Sequence, residues 1–150
     1  MISYGRQSIS AEDIDAVVEV LKSDWLTQGP VLEKFEKSLA SKVQAKHAIA
    51  VSSGTAALHL ACLAAGLKQG DLAVTSTLTF VATANAPKYC GANTALLDID
   101  INTLGLSADK LQQFLISHPK TKVVLPVHFA GLAQGMETLK SISGNRLSMQ

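Results

Sequence analysis

From residue 47 onward, short apolar runs alternate with segments of helical spacing, and this alternation limits the fold more than any other feature of the chain. "HAIAV" (47–51), "LAVTS" (72–76), "TALLDI" (94–99) and "KVVLPVHF" (122–129) read as strands. Helices are expected over residues 55–67 and about 79–90, and from Ser107 and near Gln134. Apolar strands separated by helices form a parallel sheet covered on both faces, so the fold class is α/β. Two helices come first. Ser10 and Asp13 make a capping box ahead of Ile14, Val17, Val18 and Leu21, in a helix that ends near Ser23. A second follows Pro30, with Leu32, Phe35, Leu39 and Val43 on one face and Glu33, Lys34, Glu36 and Lys37 on the other. After "LKSISGNRLSMQ" the pattern calls for another strand. A half-wound sheet would leave an apolar edge unpaired, so the expectation is the N-terminal part of a longer protein.

Charge and cysteine usage exclude several functions. Charged residues make up 17% of the chain, against roughly 25% in typical globular proteins, which fits a largely buried sheet. A net charge of +1 without a basic cluster argues against nucleic acid as a partner. The start, "MISYGRQSISAED", lacks the order of a signal peptide, and no apolar run approaches membrane-spanning length. Cys62 and Cys90 fall in predicted helices without metal-ligand spacing, as small buried hydrophobes of a reducing compartment. A cytoplasmic location and no bound metal are expected.

The candidate chemistry lies in two turns. In "IAVSSGTAALHLACLAAG" (49–66) an apolar run gives way to Ser52, Ser53, Gly54 and Thr55, and then to an apolar helix. A helix N-terminus carries unpaired N–H groups and the positive end of the dipole, so phosphate fits there without a charged side chain. Taken alone, an ordinary N-cap is the commoner use of these residues. Neither Gly-x-x-x-x-Gly-Lys nor Gly-x-Gly-x-x-Gly occurs, which disfavours nucleotide-binding loops of those kinds. The second turn is "TLTFVATANA" (77–86), also after a strand and therefore at the sheet edge where α/β folds bind ligands. Phe80 stands where strand becomes helix. A phosphate seat on one turn and a flat aromatic face on the other suit a phosphorylated planar ring.

"SSGTAALHLACLAAG", "TFVATANA", "LLDIDINTL" and "PVHFAG" resemble, in order and spacing, the sugar aminotransferases of the DegT/StrS type. The opening "ISYGRQSISAEDIDAVVEVLKSDWLTQGP" resembles their pseudaminic acid biosynthesis branch, which aminates C4 of a UDP-linked 4-keto-6-deoxy-hexosamine. The resemblance covers essentially the whole chain. It implies a fold type I enzyme dependent on pyridoxal 5'-phosphate (PLP), with residues 1–30 as an N-terminal helix and substrate/dimer loop. Residues 31–150 would form the first part of the PLP-binding large domain, a mostly parallel sheet between helices. It further implies that Gly54, Thr55 and Ala56 bind the cofactor phosphate and that Phe80 covers one face of its ring. Thr27 and Gln28 would lie near the sugar nucleotide and the dimer interface. The implied substrates are a UDP-linked keto-sugar and glutamate, and the implied complete enzyme is a homodimer. None of the eleven lysines sits in a Ser-x-His-x-x-Lys setting, so the resemblance puts the Schiff-base lysine beyond Gln150 and leaves this chain alone inactive. Relatives that use histidine there remove a hydroxyl instead. A same-fold dehydratase and a non-catalytic truncated fragment remain the alternatives.

Other residues carry blander expectations. His128, in "PVHFAG", has a chance of touching cofactor or substrate but is more commonly a hydrogen-bonded structural residue, and His59 is expected in the core. Asp98 and Asp100 should tie a strand end to its following turn. Lys88, Lys120 and Lys122 are expected on solvated surfaces, and Tyr4, Arg6 and Gln7 in an anchoring arm. Pro87 falls inside the predicted 79–90 helix and should kink or stop it early. Gly135 stands where the resembling enzymes commonly place an acidic helix cap.

Overall fold

The computed structural model describes residues 5–144 and 146–148, so Tyr4 lies outside the described residues. The chain divides into two compact units, Met1–Ala50 and Val51–Gln150.

The first unit holds helices α1 (Ala11–Lys22) and α2 (Pro30–Lys42). Ser10 and Asp13 form the capping box in both directions: the Ser10 amide donates to Asp13 Oδ2 at 2.8 Å, and the Asp13 amide donates to Ser10 Oγ at 3.2 Å. Pro30 occupies the first helical position of α2, where its missing N–H costs nothing. The apolar stripe of α2 is open, with Phe35 54% exposed and only Ala40 buried. Beyond α2 the Ala50 amide donates to Glu36 Oε1 at 2.8 Å.

The second unit is the α/β body. Its elements are α3 (Gly54–Ala64), β1 (Leu72–Ser76), α4 (Val81–Tyr89), β2 (Asn93–Leu97), α5 (Ala108–Ser117), β3 (Thr121–Leu125), α6 (Met136–Ser143) and β4 (Leu147–Ser148). The four strands are parallel, in the order β2-β1-β3-β4. Alternate residues feed two cores. Ala73, Val123 and Leu125 pack with Cys62 of α3 and Ala86 of α4. Val74 and Val124 pack with Leu111 and Leu115 of α5 and Leu139 of α6. A sheet buried on both faces explains why its strands are apolar at every position rather than at alternate ones. No described helix is long and apolar enough to cross a membrane.

Several expectations need correction. "HAIAV" forms no strand: residues 47–51 make no ladder, and Ile49 is 80% exposed. A strand exists only with a partner edge, and no described strand pairs with this segment. The strand expected over 122–129 runs instead from Thr121 to Leu125, because Pro126 has no N–H to continue the ladder. Pro87 causes no early stop. It lies buried in the last turn of α4, which continues to Tyr89, so only the end of the helix loses a bond. Lys122 is not a free surface lysine. It is the extra residue at a register shift between β1 and β3, and its Nζ reaches Asp71 Oδ2 at 3.1 Å as well as the Gly66 carbonyl. Lys88 and Lys120 are exposed. His59 is half-buried rather than in the core, packed edge-on against Tyr89 with ring centroids 5.4 Å apart.

Candidate active site

The connections out of β1 set the place. The chain passes from β1 to β2 on one side, then crosses back over β1 to β3 on the other. Ligands in open α/β sheets bind at such a reversal, outside the carboxyl ends of the strands. Here that edge holds a cleft of about 390 Å³, lined by Ala57, Leu58 and Ala61 of α3, Thr83 of α4, Leu125 at the end of β3 and Pro126, Val127 and His128 after it.

Each lining element is set by local chemistry. Ser53 caps α3: its Oγ accepts the Ala56 amide at 3.2 Å and its carbonyl accepts the Ala57 amide at 3.0 Å. The Gly54 and Thr55 amides precede the first intrahelical bond and so have no partner within the helix. Gly54 is exposed, and a Cβ built there would meet nothing within 4 Å. The glycine thus leaves an open approach to the helix end. No acidic side chain stands in the first turn to compete for that positive end.

Phe80 is the N-cap residue of α4 and is 74% exposed, so its ring is turned out of the core. Its carbonyl accepts the Thr83 amide at 3.0 Å, which ties the aromatic to the residue that lines the cleft one turn later. Thr75 Oγ1 donates to the Leu125 carbonyl at 2.7 Å and fixes the ends of β1 and β3 together beneath.

The segment after β3 is held by its own turn. Ala130 and Gly131 both have positive φ, 50° and 83°, and the Leu132 amide donates to the Phe129 carbonyl at 2.8 Å. Two successive left-handed residues inside such a four-residue turn form the type I′ pattern. The turn brings the Gln134 amide back to His128, where it donates to Nδ1 at 3.0 Å. His128 is therefore hydrogen-bonded, in keeping with its sequence reading, and it also stands at the cleft. On the far side of β2, Asp100 Oδ1 accepts the Asn102 amide at 2.7 Å, the turn-closing role expected of it.

Gly54, Thr55, Ala56 and Phe80 do not line the cleft themselves; they stand at the starts of α3 and α4, and Ala57, Leu58 and Ala61 further along α3 and Thr83 in the first turn of α4 do. Sequence reasoning passed over Thr83 and weighed contact with cofactor or substrate for His128 only as the less common reading. An apolar helix face hides a single threonine. Thr27 and Gln28 lie in the other unit, both exposed, in a turn with two constraints. Gln28 has a φ of 51°, and a Cβ on Gly29 would come within 2.7 Å of the Trp25 Cβ.

Residues 7–146 match the DegT/DnrJ/EryC1/StrS aminotransferase family. The chain belongs to that family. Among curated relatives, SpsC, a spore coat polysaccharide biosynthesis protein of Bacillus subtilis (strain 168), is 44% identical over 144 residues. That match takes in 96% of this chain and 36% of SpsC. The chain thus spans little more than a third of the relative it matches. Among solved structures, Spr1654 of Streptococcus pneumoniae, described as a sugar aminotransferase, superposes with a TM-score of 0.85 at 29% identity. The overlap covers 94% of this chain and 36% of Spr1654 in its PLP form. DesV of S. venezuelae, solved with a ketimine intermediate, gives 0.82 at 30% identity, over 89% of this chain and 35% of DesV. These neighbours are PLP-dependent aminotransferases of fold type I, and PLP is the family's cofactor; Spr1654 is solved in both PLP and PMP forms.

Proposed function

We propose that this chain forms the cofactor-phosphate seat of a PLP-dependent sugar aminotransferase. The observation that carries the reading is the unobstructed N-terminus of α3 in a chain of this family. Its amides and dipole hold a dianionic phosphate without a lysine or arginine. Gly54 and Thr55 donate to the phosphate, Ala56 extends the turn, and the Thr55 hydroxyl adds a further donor. The exposed ring of Phe80 covers one face of the pyridine. Bound there, PLP supplies the electron sink that lets an amino group leave one carbon and join another.

What the chain's own residues do is bind, orient and keep out water. The cleft wall is apolar apart from Thr83 and His128, which suits a flat ring held edge-on to two polar groups. The cofactor aldehyde calls for a lysine, and none of the eleven here stands in a Ser-x-His-x-x-Lys setting. Glutamate is the proposed amino donor. The acceptor is the 4-keto carbon of a UDP-linked 4-keto-6-deoxy-N-acetyl-hexosamine, as in pseudaminic acid formation, in a homodimer of the complete protein. Thr27 and Gln28 contact that sugar nucleotide. The positive φ of Gln28, 51°, sets the turn that presents this loop. The test is to incubate the complete protein with PLP, glutamate and that keto-sugar nucleotide. Equal amounts of 2-oxoglutarate and amino-sugar nucleotide are expected by mass spectrometry. Absence of both products, with other keto-sugar nucleotides also unreactive, would contradict aminotransfer.

A further inference from the structure

We propose that His128 is a ligand-binding residue that donates a hydrogen bond from Nε2–H to an oxygen acceptor bound in the cleft. The inference rests on the aminotransferase reading above, and it starts from a bond the structure shows. The Gln134 amide donates to His128 Nδ1 at 3.0 Å. An imidazole nitrogen that accepts a hydrogen bond carries no proton, so the neutral ring keeps its proton on Nε2. The main-chain bond therefore fixes the tautomer and the rotation of the ring together.

That bond also decides which nitrogen is available. Nδ1 is engaged by the 126–135 segment, and Nε2 takes no partner among the described residues. His128, itself exposed, borders a cleft that otherwise presents Ala57, Leu58, Ala61, Leu125, Pro126 and Val127, with Thr83 as the other polar side chain among the lining residues. A donor of fixed direction on an apolar wall confers orientation on whatever oxygen approaches it. The type I′ turn at Ala130 and Gly131 is what lets a segment this short fold back on its own histidine. The acceptor is an oxygen of the cofactor or of the sugar; both offer the same chemistry, and the experiment separates them.

The test compares three variants of the complete protein. His128→Asn keeps an acceptor for the Gln134 amide, since Asn Oδ1 reaches the position of Nδ1, but has no group at Nε2. His128→Gln keeps an N–H donor at the reach of Nε2. His128→Ala removes both. Affinity for PLP and the KM for the sugar nucleotide are measured in each, with thermal unfolding as the check on folding. The Asn and Ala variants should lose about tenfold, and the Gln variant much less, as expected for one hydrogen bond. A weaker PLP complex puts the acceptor on the cofactor. A raised KM at unchanged PLP affinity puts it on the sugar. An Asn variant equal to wild type in both measurements would leave His128 as an anchor for its loop and overturn the proposal. A wild-type protein that binds no PLP would overturn the parent reading and this one with it.

Discussion

Cys62 illustrates how a single residue's chemistry follows from where the fold puts it. Its thiol is fully buried between α3 and the sheet. Desolvation, with a smaller contribution from Cys90 nearby, pushes its pKa up to about 11. Only the thiolate attacks an alkylating agent, so at pH 8 iodoacetamide should label the half-exposed Cys90 quickly and Cys62 only as the protein unfolds. Peptide mass spectrometry over a time course reads this out; equal labelling of both would show the core to be open. Asp71 makes the opposite case. The hydrogen bond from the Lys122 ammonium, then the Lys68 amide, hold its carboxyl below the usual carboxylate range. A depressed folded-state pKa adds stability that is complete above the unfolded value. That stability is lost as pH falls through the folded one. Wild type should therefore lose melting temperature below about pH 4 more steeply than Asp71→Asn. Parallel curves for the two would remove the Lys122–Asp71 pair from the account. This pair was illegible in the sequence, which placed Lys122 on a solvated surface. Only the register shift between β1 and β3 turns it toward Asp71.

At the scale of elements, local signals were readable and pairwise ones were not. The capping box at Ser10 and Asp13 and the Ser107 cap of α5 need only neighbouring residues, and both helices begin where those residues place them. Strand β1 matches its expected residues, 72–76, because its apolar run is bounded on both sides by turn residues. "HAIAV" has the composition of a strand, yet strandness belongs to a pair of edges, and composition says nothing about the second edge. Pro126 was readable and was passed over; a proline inside an apolar run marks where its ladder stops. The uncapped start of α6 was also legible from Gly135, which makes no side-chain cap bond. Space is free there, since a Cβ would meet only Thr138 Oγ1, at 3.9 Å. Gly135→Asp should therefore stabilise the protein by about 0.5 kcal/mol through the Thr138 amide and the helix dipole. Chemical denaturation measures this; a destabilised variant would mean that the Gly135 backbone does not suit a cap.

Over the whole molecule, the sequence conveyed the parallel α/β body and the family, but the cleft that His128 borders emerged only from the folded chain. The apolar faces also became visible only there. Leu32, Phe35 and Leu39 on α2, Ile49 after it, Phe80 capping α4 and Val81 opening it all reach solvent. Amphipathic spacing had gathered the α2 stripe on one face, and spacing cannot report whether a partner is present. The 150 residues should accordingly enhance the fluorescence of the dye ANS, and Phe35→Glu should enhance it less. Equal enhancement would show that the α2 face is not what the dye binds. The central claim is that the α3 N-terminus grips the cofactor's phosphate, and a PLP titration of the complete protein with and without Gly54→Glu tests it most directly. The glutamate fits the open space and favours the helix end, so folding should be unaffected. Its carboxylate would meet the phosphate, and the account predicts PLP affinity at least about a hundredfold weaker at an unchanged melting temperature. Equal affinity in the two proteins would contradict it.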